Sequence, residues 1–157
     1  MTDLNSLVSL PGVTLSIAWG INDRGQIVCV GDDYNSYLLT PIPPPSFSTQ
    51  PISTALNSGS TLVFTAVAFG ALSYQWQFNG VNLTDSPGNA ISGVISGSTG
   101  QQLMITNATA LDAGSYVCIA SNSAGSSASN AAVLSVETVP NPGALINFSS
   151  RAFVGTG

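Results

Sequence analysis

Apolar and polar residues alternate along much of the chain, and this period of two predicts β-strands rather than helices. The clearest alternation runs from Thr61 to Phe69, where Leu62, Phe64, Ala66 and Ala68 share one face. A strand with one apolar face normally covers a core on that side and meets solvent on the other. The sequence therefore predicts a half-buried strand in this segment.

Further short strands follow, separated by turn residues. The strand that carries Tyr74, Trp76 and Phe78 ends at Asn79-Gly80, a strong hairpin signal. The remaining predicted strands are Val81–Leu83, a weak strand around Ile91, Val94 and Ile95, then Gln102–Thr106, Ser115–Ser121 and Ala128–Val136. A helical period is absent beyond a short corner at Ala108–Ala113. Seven or eight short strands predict an all-β, antiparallel sandwich.

The first 41 residues form a separate block with its own strands. Asn22-Asp23-Arg24-Gly25 is a turn signal between two predicted strands, Ser16–Ile21 and Gln26–Gly31. Tyr37–Leu39 makes a third short strand. This pattern predicts a small β-hairpin unit.

The residues of this block resemble the HAF-type extracellular repeat of bacterial proteins. The match rests on Ile21-Asn22-Asp23, on Gly25-Gln26-Ile27-Val28 and on Leu38-Leu39-Thr40-Pro41, while Cys29 stands where the repeat usually has glycine. The resemblance implies that residues 1–41 are a partial repeat. A single repeat cannot bury its own apolar face and normally packs on neighbours.

Proline-rich joints predict the remaining boundaries. Pro43-Pro44-Pro45 favours an extended spacer, and we expect residues 42–50 to be a linker. The main domain is then 51–137. Residues 138–157 contain a second joint at Pro140-Asn141-Pro142 and the predicted start of a further, truncated β segment.

Charge is scarce, which narrows the classes of function. Charged residues make up 6% of the chain, against roughly 25% in an average soluble domain. The net charge is -5, and the cations are limited to Arg24 and Arg151. A basic patch for nucleic acid cannot be assembled from these two residues. No apolar run is long enough for a spanning helix, so we expect neither nucleic-acid binding nor membrane insertion.

The side chains needed for catalysis are also missing. The sequence has no His and no Lys, which removes the commonest general base and amine nucleophile. Asp32-Asp33 is the sole close carboxylate pair, and adjacent strand residues point to opposite faces. No calcium-loop motif is present. We therefore expect a non-enzyme with no cofactor and no metal.

Two separated motifs resemble the I-set-like immunoglobulin repeats of exported bacterial proteins. Trp76 lies in Tyr74–Gly80, and Tyr116-Val117-Cys118 follows about 40 residues later. The resemblance implies an immunoglobulin-like sandwich with Greek-key connections, in which Tyr116 forms a tyrosine corner. Asp112 would accept backbone N–H bonds at the same turn.

The same resemblance assigns the structural core. It comprises Ala66, Trp76, Leu103, Asp112, Tyr116 and Cys118. Ala66 stands where the family usually has the first cysteine of the inter-sheet disulfide, so Cys118 is expected to be a buried free thiol. Many relatives pair Asp112 with an arginine, whose position here holds Gly100 or Gln101, so that ion pair is expected to be absent.

These observations favour a structural or adhesive module of a secreted or cell-surface bacterial protein, serving as spacer or interaction scaffold. Its partners would be neighbouring domains of the same chain, another surface protein or a glycan. Met1–Asn5 does not resemble a signal peptide, which leaves either a cytosolic protein or an interior piece of a longer exported one. The truncated flanking blocks favour the interior piece. The alternative is a carbohydrate-binding or accessory module of an exported polysaccharide-active enzyme. Its candidate exposed aromatic residues are Trp19, Tyr34, Tyr37 and Phe69.

Overall fold

The chain divides into two units between Pro43 and Pro44, and each unit has its own set of strands. The computed structural model describes residues 3–6, 8, 10–86 and 92–138. Ile91, which was assigned to the weak strand, lies outside the described residues. So does the predicted β segment of 138–157, apart from Thr138.

The first unit is a three-stranded antiparallel sheet in the order β1-β2-β3. The strands are β1 (Leu15–Ile21), β2 (Ile27–Gly31) and β3 (Ser36–Leu39), so the predicted hairpin and third strand are confirmed. The Gly25 N–H donates to the Asn22 carbonyl at 2.9 Å, and Gly25 has the positive φ of +70° that the turn requires.

The described residues of the second unit form eleven strands, several of them very short. They are β4 (Ser46–Thr49), β5 (Thr54–Asn57), β6 (Leu62–Thr65), β7 (Val67–Phe69), β8 (Ser73–Phe78), β9 (Val81–Asn82), β10 (Val94–Ser96), β11 (Gln102–Thr106), β12 (Gly114–Asn122), β13 (Gly125–Ala128) and β14 (Ala132–Glu137). A short 3₁₀ turn at Ala110–Asp112 joins β11 to β12.

These strands form two layers, as an all-β sandwich requires. One layer has the order β10-β11-β6, and β7 continues from β6 to pair with β4. The other has the order β5-β14-β12-β8-β9, with β13 also paired to β12. All pairs are antiparallel except β5 with β14, which is parallel. The first edge of the sandwich thus belongs to both layers, because β4 lies in one and β5 in the other.

The structure differs from the predicted linker at 42–50. Ser46–Thr49 forms β4, and Phe47 pairs with Ala68 of β7. Phe47 is half-buried against the core, and Pro45 is buried. The apolar contact and the backbone pairing make this segment the first strand of the sandwich rather than a spacer.

The predicted long strand Ala128–Val136 is also wrong, because it is interrupted. β13 ends at Ala128 and β14 begins at Ala132. Between them Ser129 turns inward, donating its N–H to the Cys118 carbonyl at 2.8 Å. Its hydroxyl accepts the Cys118 N–H at 2.9 Å. The side chain replaces one rung of the strand ladder and lets β14 change course.

One apolar cluster fills the space between the layers. Its buried members are Leu62, Phe64, Ala66, Trp76, Phe78, Leu83, Ile95, Leu103, Ile105, Ala108, Tyr116, Cys118, Ala132 and Leu134. Phe64 joins the layers, since its ring lies 6.1 Å from that of Trp76 and 5.1 Å from that of Tyr116. Aromatic pairs at such distances stabilise a core beyond the area that they bury.

We predict that Trp76→Ala lowers the free energy of unfolding of the second unit by about 3–5 kcal/mol, the usual loss for a buried tryptophan. Trp76 has no exposed surface, and its indole N–H donates to the Gly100 carbonyl at 2.9 Å. Chemical denaturation followed by circular dichroism measures the effect. Trp19→Ala is the matched control, because Trp19 is 71% exposed. An unchanged midpoint for Trp76→Ala would exclude a core role.

Candidate functional site

The most elaborate side-chain cluster of the second unit surrounds the turn between β11 and β12. Thr109 caps the 3₁₀ turn, with its hydroxyl accepting the Leu111 N–H at 3.2 Å. The Asp112 carboxylate reaches back to accept the Thr109 N–H at 2.6 Å. This reciprocal pair is a capping box, which satisfies the backbone donors at the start of the turn.

Tyr116 fixes the same turn from the next strand. Its hydroxyl donates to the Asp112 carbonyl at 2.7 Å, and the ring lies 5.0 Å from that of Phe78. Burial raises the pKa of the Tyr116 hydroxyl, and the neighbouring Asp112 charge raises it further. A neutral phenol is needed here, because only the protonated oxygen can donate to the carbonyl. The predicted tyrosine-corner hydrogen bond is confirmed.

The Asp112 carboxylate also binds the chain that precedes β10. Asp112 accepts the Ser92 N–H at 2.7 Å and the Gly93 N–H at 3.0 Å. The Ser92 hydroxyl contacts the carboxylate and the Thr109 hydroxyl as well. Three backbone N–H groups therefore compensate a fully buried charge. The partners of the carboxylate therefore lie just before β10. The resemblance to the family instead assigns the residue opposite Asp112 to Gly100 or Gln101.

The chain before β11 serves Trp76 instead. The Gly100 carbonyl accepts the indole N–H, and the Ser98 carbonyl accepts the Trp76 backbone N–H at 2.8 Å. Asp85 holds this loop by accepting the N–H groups of Gly97 and Ser98 at 3.1 and 2.8 Å. The Ser98 hydrogen bonds lower the pKa of Asp85. The loop thus closes over the tryptophan edge and leaves no polar atom of the indole unpaired.

The six residues expected at the core are all withdrawn from solvent. Ala66, Trp76, Leu103, Asp112, Tyr116 and Cys118 each have 0% relative exposure. Burial raises the pKa of the Cys118 thiol to about 11, so the thiol is protonated at neutral pH. Side chains without exposed surface cannot touch an external ligand. Their chemistry is confined to holding the two layers together.

The adjacent carboxylates of the first unit serve a turn. Asp33 accepts hydrogen bonds from the Tyr37 hydroxyl at 2.6 Å and from the Asn35 side-chain amide at 2.7 Å. The Tyr37 hydrogen bond lowers the pKa of Asp33. Asp32 accepts the Thr14 N–H at 3.0 Å. The two carboxylates therefore have separate local partners, as expected of a turn and not of an acid–base couple.

Neither a metal cluster nor a membrane-spanning helix is found in the part of the chain that the structure describes. Across 3–6, 8, 10–86 and 92–138, no three His, Cys, Asp or Glu side chains converge on one point. Over the same ranges no helix has the length and apolar character needed to cross a bilayer.

Three of the four aromatic candidates for a glycan surface are exposed, and the two in the first unit lie at opposite ends of its sheet. Trp19 is 71% exposed and lies near the β1–β2 end of the first sheet. Tyr34 is 92% exposed and lies in the turn between β2 and β3, at the other end of that sheet. Tyr37 is half-buried, and Phe69 belongs to the second unit.

Sequence reasoning missed one surface feature, a groove of about 350 Å³ beside β6. It is lined by Thr49, Gln50, Ile52, Thr54, Val63, Phe64 and Thr65. The available sequence signal was Pro51, which interrupts an otherwise extended segment and cannot donate a ladder hydrogen bond.

Comparison with known proteins gives consistent results for the second unit. The family model described as Immunoglobulin domain matches residues 44–122, half of the chain. The structure of the tandem Ig repeats of Dlar aligns with 74% of this chain and 64% of that chain, with 26% identity and a TM-score of 0.54. Drosophila OTK, extracellular domains 3-5, aligns with 73% of this chain and 40% of that chain, with 22% identity and a TM-score of 0.55.

The OTK likeness shows the fold alone at this identity. This chain spans less than two thirds of the length of either solved structure. A search of curated proteins found no match.

We predict that Asp112→Ala lowers the free energy of unfolding by at least about 2–3 kcal/mol, because three backbone N–H groups lose their acceptor. Tyr116→Phe, which removes a single hydrogen bond, should lower it by about 1 kcal/mol. Urea denaturation measures both. The controls are Asp23→Ala and Tyr34→Phe at exposed positions, where changes should stay within about 0.5 kcal/mol. Equal effects at Asp112 and Asp23 would contradict the assigned role.

We predict an alkaline loss of stability that begins near pH 9. The pKa of Cys118 is raised from 9.0 to about 11, so the unfolded thiol ionises first while the folded thiol remains protonated. This contribution is complete below pH 9 and is lost as pH rises towards 11, by at most about 1.4 kcal/mol per pH unit. Tyr116, whose ordinary pKa is 10.0, acts in the same direction at higher pH.

The diagnostic window for Cys118 is therefore pH 9–10. Urea midpoints followed by Trp76 fluorescence in a Trp19→Phe background report on the second unit. Cys118→Ala should show a shallower decline in this window, although its stability at pH 7 is lower. A slope identical to that of the parent would mean that the thiol does not titrate there.

We predict that Ala66→Cys forms a disulfide with Cys118 on oxidative refolding. The bond would close a loop of roughly 50 residues and raise the free energy of unfolding by about 3–4 kcal/mol. Mass spectrometry detects the loss of two hydrogens, and thermal midpoints with and without reductant measure the gain. Ala66→Ser is the control of similar size that cannot cross-link. Cys29 is free in the parent as well, so three persistent free thiols instead of one would refute the placement of Ala66 opposite Cys118.

Proposed function

The chain belongs to the immunoglobulin domain family, and on this basis we propose that it is a non-catalytic structural or adhesive module. It acts as a spacer or protein-interaction scaffold in a secreted or cell-surface bacterial protein. Its partners are neighbouring domains of the same chain and other surface proteins.

The observation that carries this proposal is the placement of the distinctive side chains. Trp76, Tyr116, Cys118 and Asp112 have no exposed surface, and within the described residues the Asp112 carboxylate is bound by backbone N–H groups and hydroxyl groups. What remains for contact with other molecules is a neutral surface of strands and loops, in a chain with 6% charged residues. Loops on a rigid scaffold are where binding residues of such folds concentrate.

The resemblance of residues 1–41 to a HAF-type extracellular repeat supports the bacterial and exported part of the proposal. That unit exposes apolar side chains on all three strands, among them Ile17 at 53%, Val28 at 45% and Leu38 at 59%. A three-stranded sheet with such a surface is expected to pack on further modules. This favours a module within a multidomain protein.

The complete reading frame, expressed in its native host, tests the proposal. We expect a signal for export, further β modules, and protease-sensitive exposure of the second unit on intact cells. Detection by antibody after surface digestion and fractionation gives the readout, with a cytosolic protein as the control for lysis. Confinement of the protein to the cytosol would refute the proposal.

A carbohydrate-binding function is the second candidate, supported by the exposure of Trp19. Retention on insoluble polysaccharides is the direct assay, with Trp19→Ala as the variant and Leu72→Ala, at an exposed apolar position that is not aromatic, as the control. Retention that depends on Trp19 would favour this candidate over a spacer. No retention on a range of plant and bacterial polysaccharides would count against it.

A further inference from the structure

The layer that contains β6 has an open edge over part of its length. The strand β4 pairs with β7 as far as Thr49 opposite Val67, but it does not continue along β6. On its other side β6 is fully paired with β11, from Leu62 opposite Ile105 to Thr65 opposite Gln102. Within the part of the chain that the structure describes, β6 therefore has a partner strand on one side and none on the other.

The direction of the unpaired groups follows from the ladder. The Ala66 N–H donates to the Gln101 carbonyl at 2.8 Å. In this register the even-numbered residues of the strand direct their backbone N–H and C=O groups towards β11. In an antiparallel pair the intervening residues direct their N–H and C=O groups to the opposite side. The backbone N–H and C=O groups of Val63 and Thr65 therefore point away from β11. No described residue forms a hydrogen bond with them on that side.

The reason for the gap lies in the chain that would have filled it. Extending the pairing of Thr49 with Val67 would place Pro51 opposite Thr65 and Ser53 opposite Val63. Pro51 has no N–H to donate. Ser53 instead accepts the Val133 N–H at 2.9 Å, and Thr54 pairs with Leu134 in the other layer. The segment between β4 and β5 thus crosses from one layer to the other and leaves this side of β6 without a partner strand.

The groove beside this edge is neutral and partly apolar. Its polar side chains are threonine and glutamine, and Ile52 and Val63 are 78% and 48% exposed. Among the described residues, none that lines the groove is charged. The two outward residues present two donors and two acceptors in the alternating pattern of a strand edge, which an extended peptide backbone can satisfy.

The length of the edge decides the size of the occupant. β6 contains four residues, about 13 Å of strand. A stable dimer interface uses about 20–30 residues on each side, far more than this edge supplies. We propose that the edge of β6 at Val63 and Thr65 binds a short, uncharged, extended segment of a partner protein by strand addition. This deepens the interaction role and rests on the proposed function of the unit as a scaffold.

Titration of the isotope-labelled full chain with a capped pentapeptide of alternating threonine and valine tests the proposal. We expect saturable amide shifts centred on Val63 and Thr65, and slower hydrogen exchange at both N–H groups. The same peptide with N-methylated valines should bind about tenfold more weakly or worse, since each lost backbone hydrogen bond removes about that factor. Shifts centred elsewhere, or none at millimolar peptide, would overturn the proposal.

Two sets of variants locate the site. Thr65→Pro removes an outward N–H that the β11 ladder does not use, and should weaken binding about tenfold. Val63→Lys and Met104→Lys form a matched pair, because these cross-strand neighbours are 48% and 40% exposed and only Val63 borders the edge. Only Val63→Lys should weaken binding. If Thr65→Pro does not fold, this pair decides; equal binding by both would overturn the proposal.

Sedimentation of the free chain distinguishes the other occupant. A dimer that disappears in Val63→Lys but persists in Met104→Lys would assign the edge to a second copy and overturn the peptide assignment. The measurement uses purified chain alone. Its outcome is independent of where the protein resides in the cell, so failure of this inference and failure of the proposed function can be told apart.

Discussion

The buried carboxylate of Asp112 joins parts of the second unit that are distant in sequence. The carboxylate accepts hydrogen bonds from the N–H groups of Ser92 and Gly93 before β10 and of Thr109 after β11. The backbone carbonyl of the same residue accepts the Tyr116 hydroxyl from β12. Burial of an ionised carboxylate without such partners is strongly unfavourable, so these segments must fold together or not at all. Asp112 therefore fixes the position of the segments that flank β10 and β11 in one layer relative to β12 in the other.

The aromatic contacts between the layers depend on that relation. Phe64 on β6 can reach both Trp76 and Tyr116 only when β12 lies at the correct height against the opposite layer. In relatives that carry the disulfide, a covalent bond assists this alignment. Here Ala66 and Cys118 are simply small, fully buried side chains, and the alignment rests on packing and on the tyrosine corner. The consequence is a core that depends more heavily on each large side chain.

Sequence reasoning succeeded where a local rule and the tertiary structure agree. The alternation of Leu62, Phe64, Ala66 and Ala68 matches their burial, and the Asn79-Gly80 turn has the two positive φ angles of its hairpin type. It failed where a strand depends on distant partners. Ser46–Thr49 has little strand signal of its own after three prolines, and becomes β4 because Phe47 finds an apolar site and β7 offers a free edge. The interruption at Ser129 likewise depends on Cys118, eleven residues away.

The candidate site divides in the same way. Motifs indicated Trp76, Asp112 and Tyr116, because their roles are tied to a strand spacing that the sequence displays. The carboxylate partners at 92–93 and the groove beside β6 arise from how loops cross between layers, and spacing carries no such information. The open edge is a consequence of Pro51 and of the hydrogen bonds that draw Ser53 and Thr54 to β14. A chain whose distinctive side chains are buried in the core can still bind a partner through unpaired backbone N–H and C=O groups. Every residue type except proline has both groups, so a sequence motif does not reveal which of them are left unpaired.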